Sequence, residues 1–295
     1  MKKLLTATLA ALLCSAVLAG NISAGQYAQE QITAIKAEQA PAIDGEIDAV
    51  WEYTEAVSVE KFGSNIYPNT STAEAHKTNP VATAEIKAMW DANHLYVLGI
   101  VTDPTPNKTA TNTGDENIDG VDIQISEDNE QDGAMRDDTV GGDNTLPGNG
   151  NFNININGKA TGWGGVWFAA GGGEKVVSAA KDTDTGYIFE AAIPLQTITG
   201  EVGTVIGVEF QINDNQDGSG RTAIRQWNSD TCDAHSNAAY LGECVFIEAP
   251  VIETVAADEP AAEAVTTAPQ TLDAGVLAAA AAVISAVGYA VSKRR

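Results

Sequence analysis

Positive charge is scarce in this chain. Its 295 residues hold 16 Lys and Arg against 40 Asp and Glu, a formal net charge of −24. Five of the bases (Lys2, Lys3, Lys293, Arg294 and Arg295) sit at the two ends, which hold no acids, so the segment between carries 11 bases against 40 acids, a net −29. Such a surface repels nucleic acid and anionic lipid headgroups. It suits a solvated extracellular domain, whether the acids bind calcium or only keep it soluble. Histidine is scarcer still, with His76, His94 and His235 scattered along the chain. No Gly-x-Ser-x-Gly elbow is present, and Gly171-Gly172-Gly173 lies between candidate strands rather than before a helix. Glycoside hydrolysis needs two facing carboxylates, but among 40 acids a chance pair means little, and none stands in an apolar setting. Nothing indicates catalysis. Cysteine is limited to three. Cys14 falls in the N-terminal apolar run. Cys232 and Cys244 form either a disulfide, worth about 3 kcal/mol through loop closure, or two reduced buried thiols. No further Cys or His pair stands at zinc-ligand spacing.

The ends do not read as fold. Lys2 and Lys3 precede an apolar run from Leu4 to Leu18, then small residues with Ala19 or Ala24 as cleavage positions. This is a secretory signal peptide over residues 1–24. Ala11-Leu12-Leu13 before Cys14 fits a lipoprotein box poorly. At the other end, residues 274–292 carry no charge and the basic tail 293–295 follows at once. The run is short against the roughly 17–25 residues that span a bilayer. It reads as a transmembrane helix with a cytoplasmic tail, which puts the rest outside the cell; a helix buried in a core is the alternative. Pro269-Gln270-Thr271 just upstream, with the apolar span and basic tail, resembles a sortase cell-wall sorting signal of Gram-positive bacteria. Leu272 stands where such signals have Gly, so sortase linkage to the wall and a plain membrane anchor both stay open. Residues 249–273, rich in Ala, Glu, Pro, Thr and Val, form a flexible tether.

The body, residues 32–248, shows no long helical periodicity. Short candidate strands recur instead: Thr83–Trp90, Leu95–Thr102, Val121–Ser126, Asn151–Asn157, Val166–Ala169, Lys175–Ala180, Tyr187–Ile193, Val205–Ile212, Thr222–Trp227 and Cys244–Glu248. Alternation is clear in Asn153-Ile154-Asn155-Ile156-Asn157, and Asp91-Ala92-Asn93 makes a tight turn between the first two. Many short strands with Gly, Asn and Asp turns predict an all-β fold, an antiparallel sandwich of two packed sheets. Three Asx-rich runs end in Asp-Gly, at residues 115–120, 128–133 and 213–218. Each offers oxygens at alternate positions, as a calcium loop does. Each also suits an ordinary turn, and none has the Glu an EF-hand needs at its twelfth position. Of the five tryptophans, Trp51 and Trp90 read as core anchors. Trp163, Trp167 and Trp227 stand in Gly-rich or polar surroundings, where a flat ring either packs or stacks on a sugar.

Several of these segments fall in a known order. Ala42-Ile43-Asp44-Gly45-Glu46-Ile47-Asp48-Ala49-Val50-Trp51 opens the body, and the hairpin about Trp90-Asp91 closes on Asp103-Pro104. Asp119–Ile125, Gly186–Pro194 and Ile206–Asp214 follow, then Arg221, Trp227 and Gly242. Together they resemble the family 9 carbohydrate-binding modules of xylanases, over nearly all of residues 43–247. The resemblance implies a two-sheet sandwich with bound calcium, and a slot in which two tryptophans sandwich a sugar above polar residues. By motif position Asp122, Asn153, Gln211, Asn213 and Arg221 are the polar slot residues, with Trp227 and His235 completing the candidate ligand set. The positions of the two sandwiching tryptophans hold Glu116 and His235, and Trp163 or Trp167 could compensate.

The leading expectation is therefore a non-catalytic, surface-anchored protein that captures a polysaccharide or oligosaccharide. The alternatives are a structural or adhesive protein that keeps the fold without the sugar slot, and a glycoside hydrolase, for which body, tether and anchor leave no catalytic domain. Calcium is the expected cofactor.

Overall fold

The computed structural model describes residues 29–62, 81–130, 133–135, 146–164 and 175–250, and alternation between apolar and polar residues organises these described residues into twelve strands. The signal peptide 1–24, candidate strand 166–169, Trp167, the tether beyond residue 250, the anchor 274–292 and the tail 293–295 lie outside the described residues. The strands are β1 (Gln31–Lys36), β2 (Val57–Val59), β3 (Thr83–Trp90), β4 (His94–Thr102), β5 (Gly120–Ser126), β6 (Asn149–Asn155), β7 (Ala160–Trp163), β8 (Val177–Thr183), β9 (Gly186–Pro194), β10 (Val205–Asp214), β11 (Ala223–Gln226) and β12 (Gly242–Ile247). Hydrogen bonding runs in the order β7-β6-β5-β10-β12-β1-β3-β4-β9-β8, with β11 on β10 and β2 on β3.

The all-β expectation holds, and the β3–β4 hairpin falls within a residue of its predicted bounds. Its turn is held by Asp91, whose Oδ1 accepts the N–H groups of Asn93 (2.7 Å) and His94 (2.8 Å) and whose Oδ2 accepts the Tyr96 hydroxyl (2.6 Å). Burial works to raise the Asp91 pKa, but these bonds together hold it below the usual carboxylate value.

The expectation of an antiparallel sandwich of two packed sheets holds in part: two layers share a core, but one continuous sheet with two parallel pairings forms them. β1, β2 and β7 were not anticipated as strands. β1 pairs parallel to both β12 and β3, so the ladder passes unbroken from one half of the molecule to the other. Alternate residues of β5, β6, β10 and β12 on one side, and of β3, β4 and β9 on the other, meet in a single core that includes Ile123, Phe152, Phe210, Ile86, Val97 and Phe189. Trp90 lies in this core, stacked 5.2 Å from Phe246. Gly99 faces Phe189 across the β4–β9 ladder, and a Cβ there would fall 2.0 Å from the Phe189 ring.

Buried carboxylates fasten the connections. Glu190 on β9 accepts the Trp51 indole N–H (3.1 Å) and the backbone N–H groups of Asp44 (3.2 Å) and Gly45 (3.0 Å). Gly45 takes φ of +84°, which L side chains rarely adopt. This contact seats the opening segment on the outer face of β3, β4 and β9, where Trp51 is buried with Met89, Tyr96 and Leu98. Burial raises the Glu190 pKa while the three N–H groups oppose it. Glu127, just after β5, accepts the N–H groups of Gln196 (2.7 Å) and Thr197 (2.6 Å) and the Thr197 hydroxyl (2.6 Å) beyond β9.

Of the two alternatives for the cysteines, the bridge is the one not taken: no disulfide joins Cys232 to Cys244. Cys244 on β12 belongs to the core, whereas Cys232 lines a loop-walled cavity on the far face of the sheet. Sulfurs on opposite faces of one sheet cannot meet without moving backbone. Burial raises both thiol pKas, that of Cys232 to about 11.

Glu190→Ala would leave the buried Trp51 and Gly45 N–H donors, and the part-buried Asp44 N–H, without their acceptor. At roughly 1–3 kcal/mol for each unsatisfied group, urea unfolding should show a loss of about 3 kcal/mol or more, and Glu190→Gln should restore part of it.

Candidate functional site

The residues of β5, β6 and β10 that alternate with core positions are polar, and the register lines them up. Gln226 of β11, Gln211 of β10, Asp122 of β5, Asn153 of β6 and Thr161 of β7 lie side by side across five strands. Their side chains form a ladder. The Gln226 amide donates to Gln211 Oε1 (3.3 Å), Gln211 Nε2 donates to Asp122 Oδ2 (3.2 Å), and Asn153 Nδ2 donates to Asp122 Oδ1 (2.7 Å). Gln211 Nε2 also reaches Asn213 Oδ1 (3.0 Å), which accepts Arg221 Nη1 (2.9 Å). Burial raises the Asp122 pKa, against the Asn153 side chain and the charges of Arg221 and His235.

Above this floor opens a cavity of about 660 Å³. Of the residues named from sequence, Asp122, Asn153, Gln211, Arg221 and His235 line it, and Glu116 does too. Asn213 supports the lining from behind through Gln211 and Arg221. Trp227 does not belong to the cavity. It is 3% exposed, packed in the core at 5.5 Å from Phe210, because its place after β11 turns the ring inward. Trp163 ends β7 in register with Asn151. Among the described lining residues the one aromatic ring is the His235 imidazole. Asn151, Asp115, Cys232 and Asp233 also line the cavity and were not among the ligand residues expected from sequence. The Asn151-Phe152-Asn153 alternation was the available signal for Asn151; the other three depend on how loops fold over.

The walls are braced by their own contacts. Asp115 and Glu116 ride on a 3-10 turn, Asp115–Asn117. Asn117 O accepts Asn215 Nδ2 (3.0 Å) and Asn117 Oδ1 accepts the Arg221 N–H (3.1 Å), which ties this wall to the loop after β10. The opposite wall, carrying Cys232, Asp233 and His235, rests on a small apolar cluster of Met135, Ala234, Ala238 and Leu241. It starts from a turn gripped by buried Glu209, which accepts the N–H groups of Trp227 (2.9 Å), Asn228 (3.0 Å) and Ser229 (2.7 Å).

Beneath the first wall three buried carboxylates converge. Asp103, Asp119 and Asp214 each bring an oxygen within 4.8 Å of the others. Asp119 and Asp214 come from two of the Asx-rich runs, whereas Asp128 in the third accepts Ser126 Oγ (2.7 Å) and the Glu130 N–H (3.1 Å) as a turn residue. Thr105 N–H donates to Asp103 Oδ1 (2.8 Å) and Ala82 N–H to Asp214 Oδ2 (3.0 Å). Asp103 Oδ2 and Asp214 Oδ1 are buried with no hydrogen-bond partner. Burial first, then the charges of Asp103 and Asp214, pushes the Asp119 pKa to about 8; Asp214 rises to about 6 for the same first reason. Hard oxygen donors with orphaned lone pairs, each discouraging the others' charge, fit a divalent cation such as calcium.

The family model described as "Carbohydrate family 9 binding domain-like" matches residues 43–249. The chain belongs to this family. The family 9 region is 32% identical over 209 residues to endo-1,4-beta-xylanase A of Thermotoga maritima, covering 70% of this chain and 17% of that enzyme. It is 31% identical over 200 residues to exoglucanase XynX of Acetivibrio thermocellus, covering 67% and 15%. The chain thus spans less than a fifth of the curated relatives it matches. Two solved family 9 modules of Caldicellulosiruptor kristjanssonii are similar. The one in complex with glucose is 25% identical, with a TM-score of 0.58, covering 76% of this chain and 100% of that one. The one in complex with cellotriose is 23% identical, with a TM-score of 0.57, covering 82% and 100%.

Gln211→Leu would remove both donors of the central rung and strand the Gln226 amide. Left with one amide partner, Asp122 becomes a poorly compensated buried acid. Equilibrium unfolding should show a loss of about 2–4 kcal/mol, with the strand content by circular dichroism unchanged.

Proposed function

We propose that this protein is a non-catalytic carbohydrate-binding module that docks an oligosaccharide, or the end of a polysaccharide chain, in the cavity above Gln211, Asp122 and Asn153. The observation that carries the reading is the hydrogen-bonded amide–carboxylate floor, cross-linked through Asn213 to Arg221. Preorganised donors and acceptors of this kind match sugar hydroxyls, which both donate and accept. Because the similar solved modules hold glucose and cellotriose, gluco-oligosaccharides are the first ligands to try. The relatives' hydrolytic activities are not carried over, since the matched region is a small part of those enzymes. Binding is reversible and breaks no bond; millimolar to micromolar dissociation, roughly 4–8 kcal/mol, is adequate for capture.

We also infer that Asp103, Asp119 and Asp214 hold calcium. The ion would neutralise the three carboxylates and brace the loops before β5 and after β10, so that Glu116 and Arg221 stay in place around the ligand. Display at the outer cell surface, by a membrane anchor or by sortase linkage to the wall, is proposed from the sequence of residues 1–24 and 269–295.

Isothermal calorimetry of the full chain with glucose and cellotriose tests the first proposal. Asn153→Ala and Arg221→Ala should each weaken binding by about tenfold, the scale of one good hydrogen bond. Trp227→Phe should leave affinity unchanged. A folded protein that binds no glycan on an array would reverse the reading in favour of a structural or adhesive role, for which the charged Glu116 at a sandwiching position already speaks. Thermal unfolding tests the second. Calcium should raise the midpoint progressively with concentration, a chelator should lower it and weaken sugar binding, and Asp119→Asn should abolish the response. A midpoint indifferent to calcium and chelator sinks the assignment.

A further inference from the structure

The cavity is acidic and rich in acceptors. Asp115, Glu116, Asp122 and Asp233 line it, against the single guanidinium of Arg221 and the imidazole of exposed His235. Arg221 is already committed to Asn213 Oδ1 on the floor and acts electrostatically on Asp122. Among the described ion pairs Asp115 has one, long at 3.8 Å, to Lys159, between two exposed side chains. Glu116 accepts from its neighbour Asn117 (3.3 Å) and meets no cation among the described ion pairs.

A second observation is independent of charge. Asn153 is 4% exposed and lines the cavity. Its Nδ2 is used on Asp122, which fixes the amide orientation, and its Oδ1 is buried without a partner. Asn151 Oδ1, also on the lining, is in the same state. Two orphaned acceptors beneath acidic walls ask for a ligand that donates hydrogen bonds and carries positive charge. A neutral sugar hydroxyl meets the first demand alone; a protonated amine meets both.

The geometry points to amino sugars, hexosamine units with a free protonated amine, as the preferred ligand class of this cavity, with Glu116 as the residue that selects the charge. This inference rests on the carbohydrate-binding reading above. Glu116 takes a position where the family resemblance implies a stacking tryptophan. The exchange swaps a flat apolar face for a carboxylate, and so swaps stacking on a neutral ring for attraction to an ammonium group.

Calorimetry at slightly acidic pH, where the amine is protonated, with glucosamine, N-acetylglucosamine, glucose and a linear aliphatic diamine separates the possibilities. Glucosamine should bind about tenfold more tightly than the other three, as one charge-assisted hydrogen bond allows. Glu116→Gln should bring glucosamine within about twofold of glucose, and Glu116→Trp should turn the preference toward glucose. Glu201→Gln, an exposed acid at the opposite end of β10, should change nothing. Glucose binding as tightly as glucosamine overturns the inference and leaves the carbohydrate-binding reading standing. Equal affinity for the diamine overturns it in favour of unspecific charge attraction. No binding of any sugar overturns both.

Discussion

The register between β10, β5 and β6 is the constraint from which the rest follows. It places Phe210, Ile123 and Phe152 on the core face. By the same two-residue period it places Gln211, Asp122 and Asn153 in one row on the other face. A slip of one residue would bury the polar row in the core and expose the phenylalanines. The side-chain ladder strengthens that choice, because Asp122 finds both of its amide donors only in the native alignment. Core and cavity floor are thus two faces of one pairing decision.

Around this sheet the chain repeatedly uses a buried carboxylate as an acceptor for backbone N–H groups. Glu190 seats the opening segment, Glu127 joins the end of β5 to the chain beyond β9, and Glu209 holds the turn after β11. Each satisfies donors that the ladder leaves over where strands end. Burying a charge is costly without such partners, so these glutamates specify loop positions more than they add net stability. The loops that wall the cavity depend on this fastening: Glu209 grips the start of the wall that ends in His235, and buried Asp119 accepts the Asn215 N–H (2.5 Å) beside the Arg221 loop.

The strand pattern was legible because its cause is local. Period-2 alternation and Asx turns placed β3, β4, β5, β9 and β10 within a few residues of where they lie. β1 escaped notice because Gln31–Lys36 is short and its partners, β12 and β3, are distant in sequence. The floor of the cavity was legible for the same reason as the strands: Asp122, Asn153 and Gln211 occupy alternate positions within them. The walls were less so. Asp115, Cys232 and Asp233 come from loops whose path is set by long-range bonds such as that between Asn117 and Asn215. Trp227 was misread because the inward turn of its ring is decided by Phe210, seventeen residues away.

Scarcity of basic residues, Asx-rich turns and the ordered motifs are properties of composition and spacing, so the sequence alone could establish an acidic all-β body of family 9 type. Whether two cysteines meet, whether Trp227 packs or faces the cavity and which aspartates converge are questions of distance. The tertiary structure answered them by setting Cys244 and Cys232 on opposite faces, drawing Asp103, Asp119 and Asp214 together, and raising an acidic wall beside the amide floor. The physical reason is that strand pairing is governed by local alternation, whereas loops over a sheet are positioned by partners far along the chain.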